Sequence, residues 1–241
     1  MQSQEIDFSI VMPCLNEERT IGICIDKVHR FFASTPYSYE IVVADNLSTD
    51  HSRDIASALG ARVVEVQAKG YGNALRHGIE HCKGRYIIMG DADDSYNFLK
   101  LEGFVEKLQE GYDLVMGNRF KGGIMKGAMP WMNRYIGNPL LSGIAKRLFC
   151  NKIGDYHCGL RAFTADCYTE LTPVSTGMEF ASELPVLAYM KGKHITEVPI
   201  VLYPDGRNRK PHLNPWKDGI RHLYVLWTLF KTKTILKRKA I

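Results

Sequence analysis

The sequence predicts a single α/β domain, a Rossmann-like and mostly parallel sheet flanked by helices, on three observations. A strand, polar loop, helix pattern recurs three times before residue 91. Polar side chains sit at the carboxyl ends of the strands, and 241 residues of 45% hydrophobic content are enough to bury a large core. Such alternation implies crossovers between parallel strands, with ligands collecting beyond the strands' carboxyl ends.

The first unit opens with the strand Phe8-Ser9-Ile10-Val11-Met12, continues through the loop Pro13-Cys14-Leu15-Asn16-Glu17-Glu18, and enters a helix near Thr20. In the second, Glu40-Ile41-Val42-Val43-Ala44 is a strand, and Asp45-Asn46-Leu47-Ser48-Thr49-Asp50 is a turn of helix-capping residues. The third strand, Arg62 to Val66, leads into Lys69-Gly70-Tyr71-Gly72-Asn73-Ala74, whose glycines are expected to let the backbone approach a ligand closely. A fourth strand, Tyr86 to Met89, ends at Gly90-Asp91-Ala92-Asp93-Asp94.

Carboxylates at i and i+2 just past a strand tip can both face one hard cation. Mg²⁺ or Mn²⁺ takes oxygen ligands and is held by one or two protein carboxylates plus water and substrate phosphates. The spacing of Asp91 and Asp93 therefore points to a metal-bound nucleotide diphosphate. An Asp-rich turn that satisfies its own backbone is the other reading.

Composition narrows the classes. The six cysteines form no Cys-x-x-Cys pair, no apolar signal core opens the chain, and no apolar run reaches the roughly 18 residues of a membrane span. A cytoplasmic protein with reduced thiols is expected. Charge is unevenly placed: Leu114 to Gly154 contains no acid, and from Arg207 onward ten Lys and Arg face only Asp218. That density calls for an anionic partner. Trp216, Ile220, Leu223, Trp227 and Phe230 share one helix face beside Lys217, Arg221 and Lys231. Trp131, Tyr135 and Leu140 to Phe149, with Arg134, Lys146 and Arg147, read as a second such helix. Basic amphipathic helices with tryptophan suit an anionic membrane surface, packing on the sheet being the alternative. No nucleic-acid motif accompanies the charge, so no nucleic-acid partner is expected.

Seven segments in order carry a resemblance. Met12-Pro13-x-x-Asn16-Glu17, Asp45-Asn46-x-Ser48-Thr49-Asp50, Gly70-x-Gly72-x-Ala74 and Asp91-Ala92-Asp93 resemble the family 2 glycosyltransferases of GT-A fold. Met116-Gly117-Asn118-Arg119-Phe120, Asp155-x-His157-Cys158-Gly159-Leu160-Arg161 and Tyr203-x-x-x-Arg207 are similar to the branch of dolichol-phosphate mannose synthases and bacterial polyprenyl-phosphate glycosyltransferases. The likeness runs from about residue 7 to about residue 224, with a GT-A domain expected over 1–212 and a basic amphipathic helix over 213–241.

The resemblance implies an inverting, metal-dependent hexosyltransferase, peripheral at the inner face of the membrane. It moves a sugar from a nucleotide-sugar donor, UDP-glucose-like first and GDP-mannose second, to a polyprenyl phosphate. Pro13, Leu15, Glu17 and Ala92 would line the donor pocket, Asp45 would hydrogen-bond the base, and Asp91 and Asp93 would hold Mg²⁺ or Mn²⁺. Arg119 and Arg207 would grip the lipid phosphate, with Asp155 and His157 near the reacting centre. An ionised phosphate needs no general base. Related enzymes acting on sugar hydroxyls carry a Glu-Asp carboxylate base, whereas this chain reads Glu179-Phe180 there. Transfer to a hydroxyl with Glu179 as base is thus the rival within the class. A sugar-1-phosphate nucleotidyltransferase is the rival outside it, disfavoured because the first strand leads into Pro13-Cys14-Leu15-Asn16-Glu17 rather than a glycine-rich loop. The departures from the mannose-synthase pattern are Asp94-Ser95 after the Asp-Ala-Asp, which would alter the metal's outer shell, and Gly206-Arg207-Asn208-Arg209-Lys210-Pro211-His212 in the acceptor loop. The sequence leaves a homo-oligomer open.

Overall fold

A computed structural model describes residues 6–150, 152–207 and 215–239, with the side chains of the last helix described over 218–235. The first half is laid down as read: β1 (Ile6–Cys14), α1 (Ile21–Phe32), β2 (Tyr39–Asp45), α2 (Ser52–Ala58), β3 (Arg62–Glu65), α3 (Tyr71–Glu80) and β4 (Gly84–Met89). There follow α4 (Glu102–Gln109), β5 (Leu114–Asn118), the single turn α5 (Arg119–Gly122) and a π-helical turn, Asn133–Gly137, that runs into α6 (Asn138–Leu148). The chain then makes β6 (Arg161–Thr164), α7 (Ala165–Leu171), α8 (Phe180–Met190), β7 (Ile195–Pro199) and α9 (Pro215–Lys239). The boundary expected at 212–213 lies outside the described residues.

All seven strands join one sheet in the order β3-β2-β1-β4-β6-β5-β7. Only β6 runs antiparallel to its neighbours, and β1 pairs in parallel with both β2 and β4. The chain steps outward from β1 to β3 and then returns to β1's other side. That reversal is the topological switch point at which open α/β sheets bind ligands. Both faces of the sheet are covered, which explains the continuous apolar runs. Phe8, Ile10 and Met12 pack with Ile21, Ile25, Val28 and Phe32 of α1, whereas Val11, Ile87 and Met89 pack with Leu75 and Ile79 of α3.

One expectation is corrected here and one alternative is set aside. Gly70 and Gly72 serve a backbone contact within the chain rather than an approach to a ligand. A Cβ on either would collide with main-chain atoms of Ser175 to Gly177, and Gly70 has φ 133°. The apolar face read on the last helix does not pack on the sheet: Ile220, Leu223, Trp227 and Phe230 are exposed, and Trp216's side chain lies outside those described. Its inward face is instead built from His222, Leu226 and Leu229, against α8 and α6. Trp131, Tyr135 and Leu140 are likewise exposed, whereas Phe149 is buried.

Arg161, fully buried at the start of β6, ties the sheet to α8. Its Nε and Nη2 donate to Cys158 O at 3.1 and 2.6 Å, and its Nη1 to Ala181 O at 3.1 Å. Stranding buried carbonyls costs about 1–3 kcal/mol each, so Arg161→Met is expected to lower unfolding free energy by about 2–4 kcal/mol, read as a reduced urea midpoint at unchanged m.

Candidate active site

Three loops meet at the switch point, and side chains from one satisfy the backbone of the next. The loop after β1 turns at Asn16, whose φ of 58° is one that asparagine tolerates. Asn16 N donates to Ser48 Oγ (2.8 Å), Thr49 N donates to Asn16 Oδ1 (2.7 Å), and Glu17 N donates to Ser52 Oγ (2.7 Å). Asn46 joins the third loop: its Nδ2 donates to Val66 O and Ala68 O, and its Oδ1 accepts from Gly70 N. The polar turn after β2 is therefore mostly scaffold. Asp45, at the tip of β2, is the exception. Its Oδ2 accepts from Ser48 N at 3.1 Å, but Oδ1 is buried with no hydrogen-bond partner. Pro13 and Leu15 are half-buried on either side of Cys14.

Past β4, Asp91 Oδ1 accepts from Tyr71 Oη at 2.9 Å, and Ala92 is buried. Burial first, then the neighbouring charge of Asp93, push the Asp91 carboxyl up to about 6, against the pull of Tyr71, Arg207 and Arg161. Asp93 Oδ1 accepts from Ser95 N (3.0 Å) and Ser95 Oγ (2.6 Å), while Oδ2 accepts from Arg207 Nη2 at 2.6 Å. Arg207 Nη1 reaches Glu17 Oε1 at 3.3 Å, and Gly206 N donates to Asp93 O at 2.8 Å. Nε of Arg207 has no hydrogen-bond partner, lying 3.5 Å from Asp205 Oδ1. Asp94, at φ 63°, is turned away onto Lys27 Nζ at 2.6 Å. The acidic turn satisfies part of its own backbone, as Ser95 closes one edge of Asp93, while the other edge carries the Arg207 guanidinium.

Arg119 and Asp155 form a second, buried pair. Arg119 Nε and Nη2 donate to Oδ2 and Oδ1 of Asp155 at 2.7 and 2.8 Å, and Arg119 N adds a third bond at 3.1 Å. Behind them, Glu197 Oε1 accepts from the N–H groups of Gly154 and Asp155. His157 Nε2 and His222 Nδ1 both lie on Ser182 Oγ, at 3.0 and 2.8 Å. Burial, then the neighbouring His222 and the charges of Arg119 and Arg161, hold His157 well below its usual range. Glu179 is engaged by α9: Arg221 Nη2 donates to its Oε1 at 2.8 Å, as does Gly177 N at 3.1 Å. Its Oε2 is buried without a partner.

Glu17, Asp93 and Arg207 are thus brought into direct contact, with Asp91 two residues away. Arg119 and Asp155 face one another, the carboxylate taking up Nε and Nη2 of the guanidinium. Sequence reasoning missed Tyr71, Ser182, Arg221 and His222. Tyr71 stands inside the glycine-rich segment already singled out, but the other three have no local signal. Among the described residues no three His, Cys, Asp or Glu converge as a metal cage. Two carboxylates with Arg207 as counter-charge fit a hard cation that shares its shell with substrate phosphates.

The family model for glycosyl transferase family 2 matches residues 9–171. The low-salt glycan biosynthesis hexosyltransferase Agl6 of Haloferax volcanii is 40% identical over 216 residues, covering 89% of this chain and 52% of its own length. This chain therefore spans about half of that relative. A dolichyl-phosphate hexose transferase of the same organism is 33% identical over 197 residues, 80% of this chain and 82% of that one. Among solved structures, glucosyl-3-phosphoglycerate synthase from Mycobacterium tuberculosis, with Mn²⁺, UDP and glucosyl-3-phosphoglycerate, superposes with a TM-score of 0.74 at 24% identity. It covers 94% of this chain and 80% of its own. The sheet is that of the GT-A glycosyltransferases, and the chain belongs to glycosyl transferase family 2.

Proposed function

We propose that the protein moves a hexose from a nucleoside diphosphate sugar to a polyprenyl phosphate, with inversion at the anomeric carbon. The observation that carries this reading is the Asp91, Asp93 and Arg207 cluster at the carboxyl end of β4. The dolichyl-phosphate hexose transferase among its relatives supports the acceptor class. UDP-hexose is the first donor choice and GDP-mannose the second.

The orphaned Oδ1 of Asp45 accepts an N–H of the base, with Pro13, Leu15 and Glu17 around it. Asp91 and Asp93 hold Mg²⁺ or Mn²⁺, which when bound offsets the charge on the departing diphosphate. Arg207 turns from Asp93 to the acceptor phosphate, to which a guanidinium fork is suited. Asp155 clamps Arg119 through Nε and Nη2, leaving Nη1 for the same anion. A phosphate oxygen attacks C1, the bond from C1 to the diphosphate oxygen breaks, and its electron pair leaves with the nucleoside diphosphate. The product is a glycosyl phosphodiester, and no proton need be removed. Glu179, neutralised by Arg221, is then dispensable as a base.

Lipid access follows from the exposed faces. Trp131, Tyr135 and Leu140 beside Arg134, and Ile220, Leu223 and Trp227 beside Lys231, lie on elements that pack together. Lys231 Nζ stands 3.4 Å from the centroid of the Trp227 ring. We assign this surface to the headgroup region of an anionic leaflet on the cytoplasmic side. No helix among the described residues is long and apolar enough to cross a membrane.

Release of UDP from UDP-glucose, driven by undecaprenyl phosphate, tests the reading. Asp93→Ala is expected to lower kcat by about a thousandfold or more, and Arg207→Ala to raise KM for the lipid at least about tenfold. Glu179→Gln is expected to cost under about fivefold, and a loss near a thousandfold would instead make it the base of a hydroxyl transfer. The raised Asp91 value gives two slopes of opposite sign. The folded carboxyl takes up a proton before the unfolded one, so its stability cost at neutral pH is relieved as pH falls through about 6 towards the ordinary aspartate value of 3.8. Mn²⁺ needs the carboxylate, so its calorimetric affinity in the presence of UDP is expected to fall about tenfold by about pH 5. Asp91→Asn should flatten both slopes.

A further inference from the structure

The acid-free stretch from Leu114 to Gly154 is only partly absorbed by the active site. Arg119 pairs with Asp155, Lys121 Nζ with Glu197 Oε2 at 2.9 Å, and Arg134 stands on the exposed apolar surface. Lys146, Arg147 and Lys152 go elsewhere. They line a cleft of about 660 Å³, together with Phe149, Tyr189 and His194. His194 directly precedes β7, so the cleft lies at the amino ends of β5 and β7, across the sheet from Asp91.

The chemistry of this cleft is one-sided. No acid lines it, and none of Lys146, Arg147 and Lys152 has an ion-pair partner among the described residues. Lys193, also at its wall, is already taken by Glu170 at 2.7 Å. The aromatic wall is held in place by α9. Lys233 Nζ donates to Leu148 O at 2.6 Å and stands 5.2 and 4.9 Å from the ring centroids of Phe149 and Tyr189. Lys146 is half-buried while Arg147 and Lys152 are exposed, so three like charges share one cleft without counter-ions among the described residues, and an anion between them offsets their repulsion. The volume is that of a small-molecule site, and flat rings beside cations suit a phosphate attached to an organic body.

We propose that this cleft is a second, non-catalytic binding site for a phosphate-bearing ligand, gripped by Lys146, Arg147 and Lys152 and bordered by Phe149 and Tyr189. The phosphate comes either from a soluble metabolite or from a phospholipid headgroup. The site shares no residue with the proposed transfer chemistry.

Calorimetric titration of the full chain in EDTA, with inorganic pyrophosphate and separately with dihexanoyl phosphatidylglycerol below its micelle concentration, tests the proposal. At least one probe is expected to bind saturably, the tighter one identifying the source. Binding should weaken about tenfold or more in the Lys146→Ser, Arg147→Ser, Lys152→Ser triple variant and persist in Lys146→Arg, Arg147→Lys, Lys152→Arg. Arg207→Ala should leave it unchanged while raising the acceptor KM, so this site and the transfer reading fail separately. Saturation by neither probe, wild-type affinity in the serine triple variant, or loss in Arg207→Ala would overturn the proposal.

Discussion

The site is organised by the repulsion between two carboxylates placed two residues apart at the tip of β4. Asp91 is lifted towards neutrality by burial and by Asp93, against the opposing charges of Arg207 and Arg161, and Arg207 is the one that bonds Asp93. Arg207 reaches Asp93 from 114 residues further along the chain, and in doing so also reaches Glu17 on the loop after β1. One cation thus ties the first and last parts of the site to its centre. A buried ion pair adds little net stability, because desolvation offsets attraction, so what Arg207 chiefly contributes is arrangement. A divalent ion held by Asp91 and Asp93 would compete with Arg207 for the Asp93 carboxylate, and the guanidinium so freed would be available to an anionic acceptor, as the proposed transfer requires.

Around that centre, side chains from one loop satisfy the backbone of the next, so the polar turns act as mutual caps. Asn16, Asn46, Ser48 and Ser52 are spent in this way. A residue left incomplete amid such saturation stands out, as Asp45 Oδ1 does. The last helix joins the same network from outside. Its inward face delivers Arg221 to Glu179 and His222 to Ser182, while its outward face keeps large apolar side chains exposed. The exposed stripe therefore lies on the same helix as His222, which meets His157 through the shared Ser182 hydroxyl.

The parallel half of the sheet was legible because its strands are apolar on both faces and each ends in polar, turn-forming residues. Asp45, Asp91 and Asp93 could be placed at strand tips on that ground alone. The antiparallel β6 was not legible, since four residues beginning with a buried arginine carry no strand periodicity. Gly70 and Gly72 were misread because sequence shows the permission to approach closely and not what approaches, here the Ser175 to Gly177 backbone. The same limit applies to the last helix, where the most apolar stripe faces outward and a histidine lies on the packed one. Pairings such as Arg207 with Asp93 and Arg221 with Glu179 are products of tertiary folding and leave no local trace.

The most direct test of the account is ³¹P NMR of undecaprenyl phosphate incubated with the protein, Mg²⁺ and UDP-glucose. Conversion of the lipid's phosphomonoester resonance into that of a phosphodiester, as UDP accumulates, is the predicted result. UDP accumulation on adding a sugar acceptor, with the lipid phosphomonoester unchanged, would contradict it.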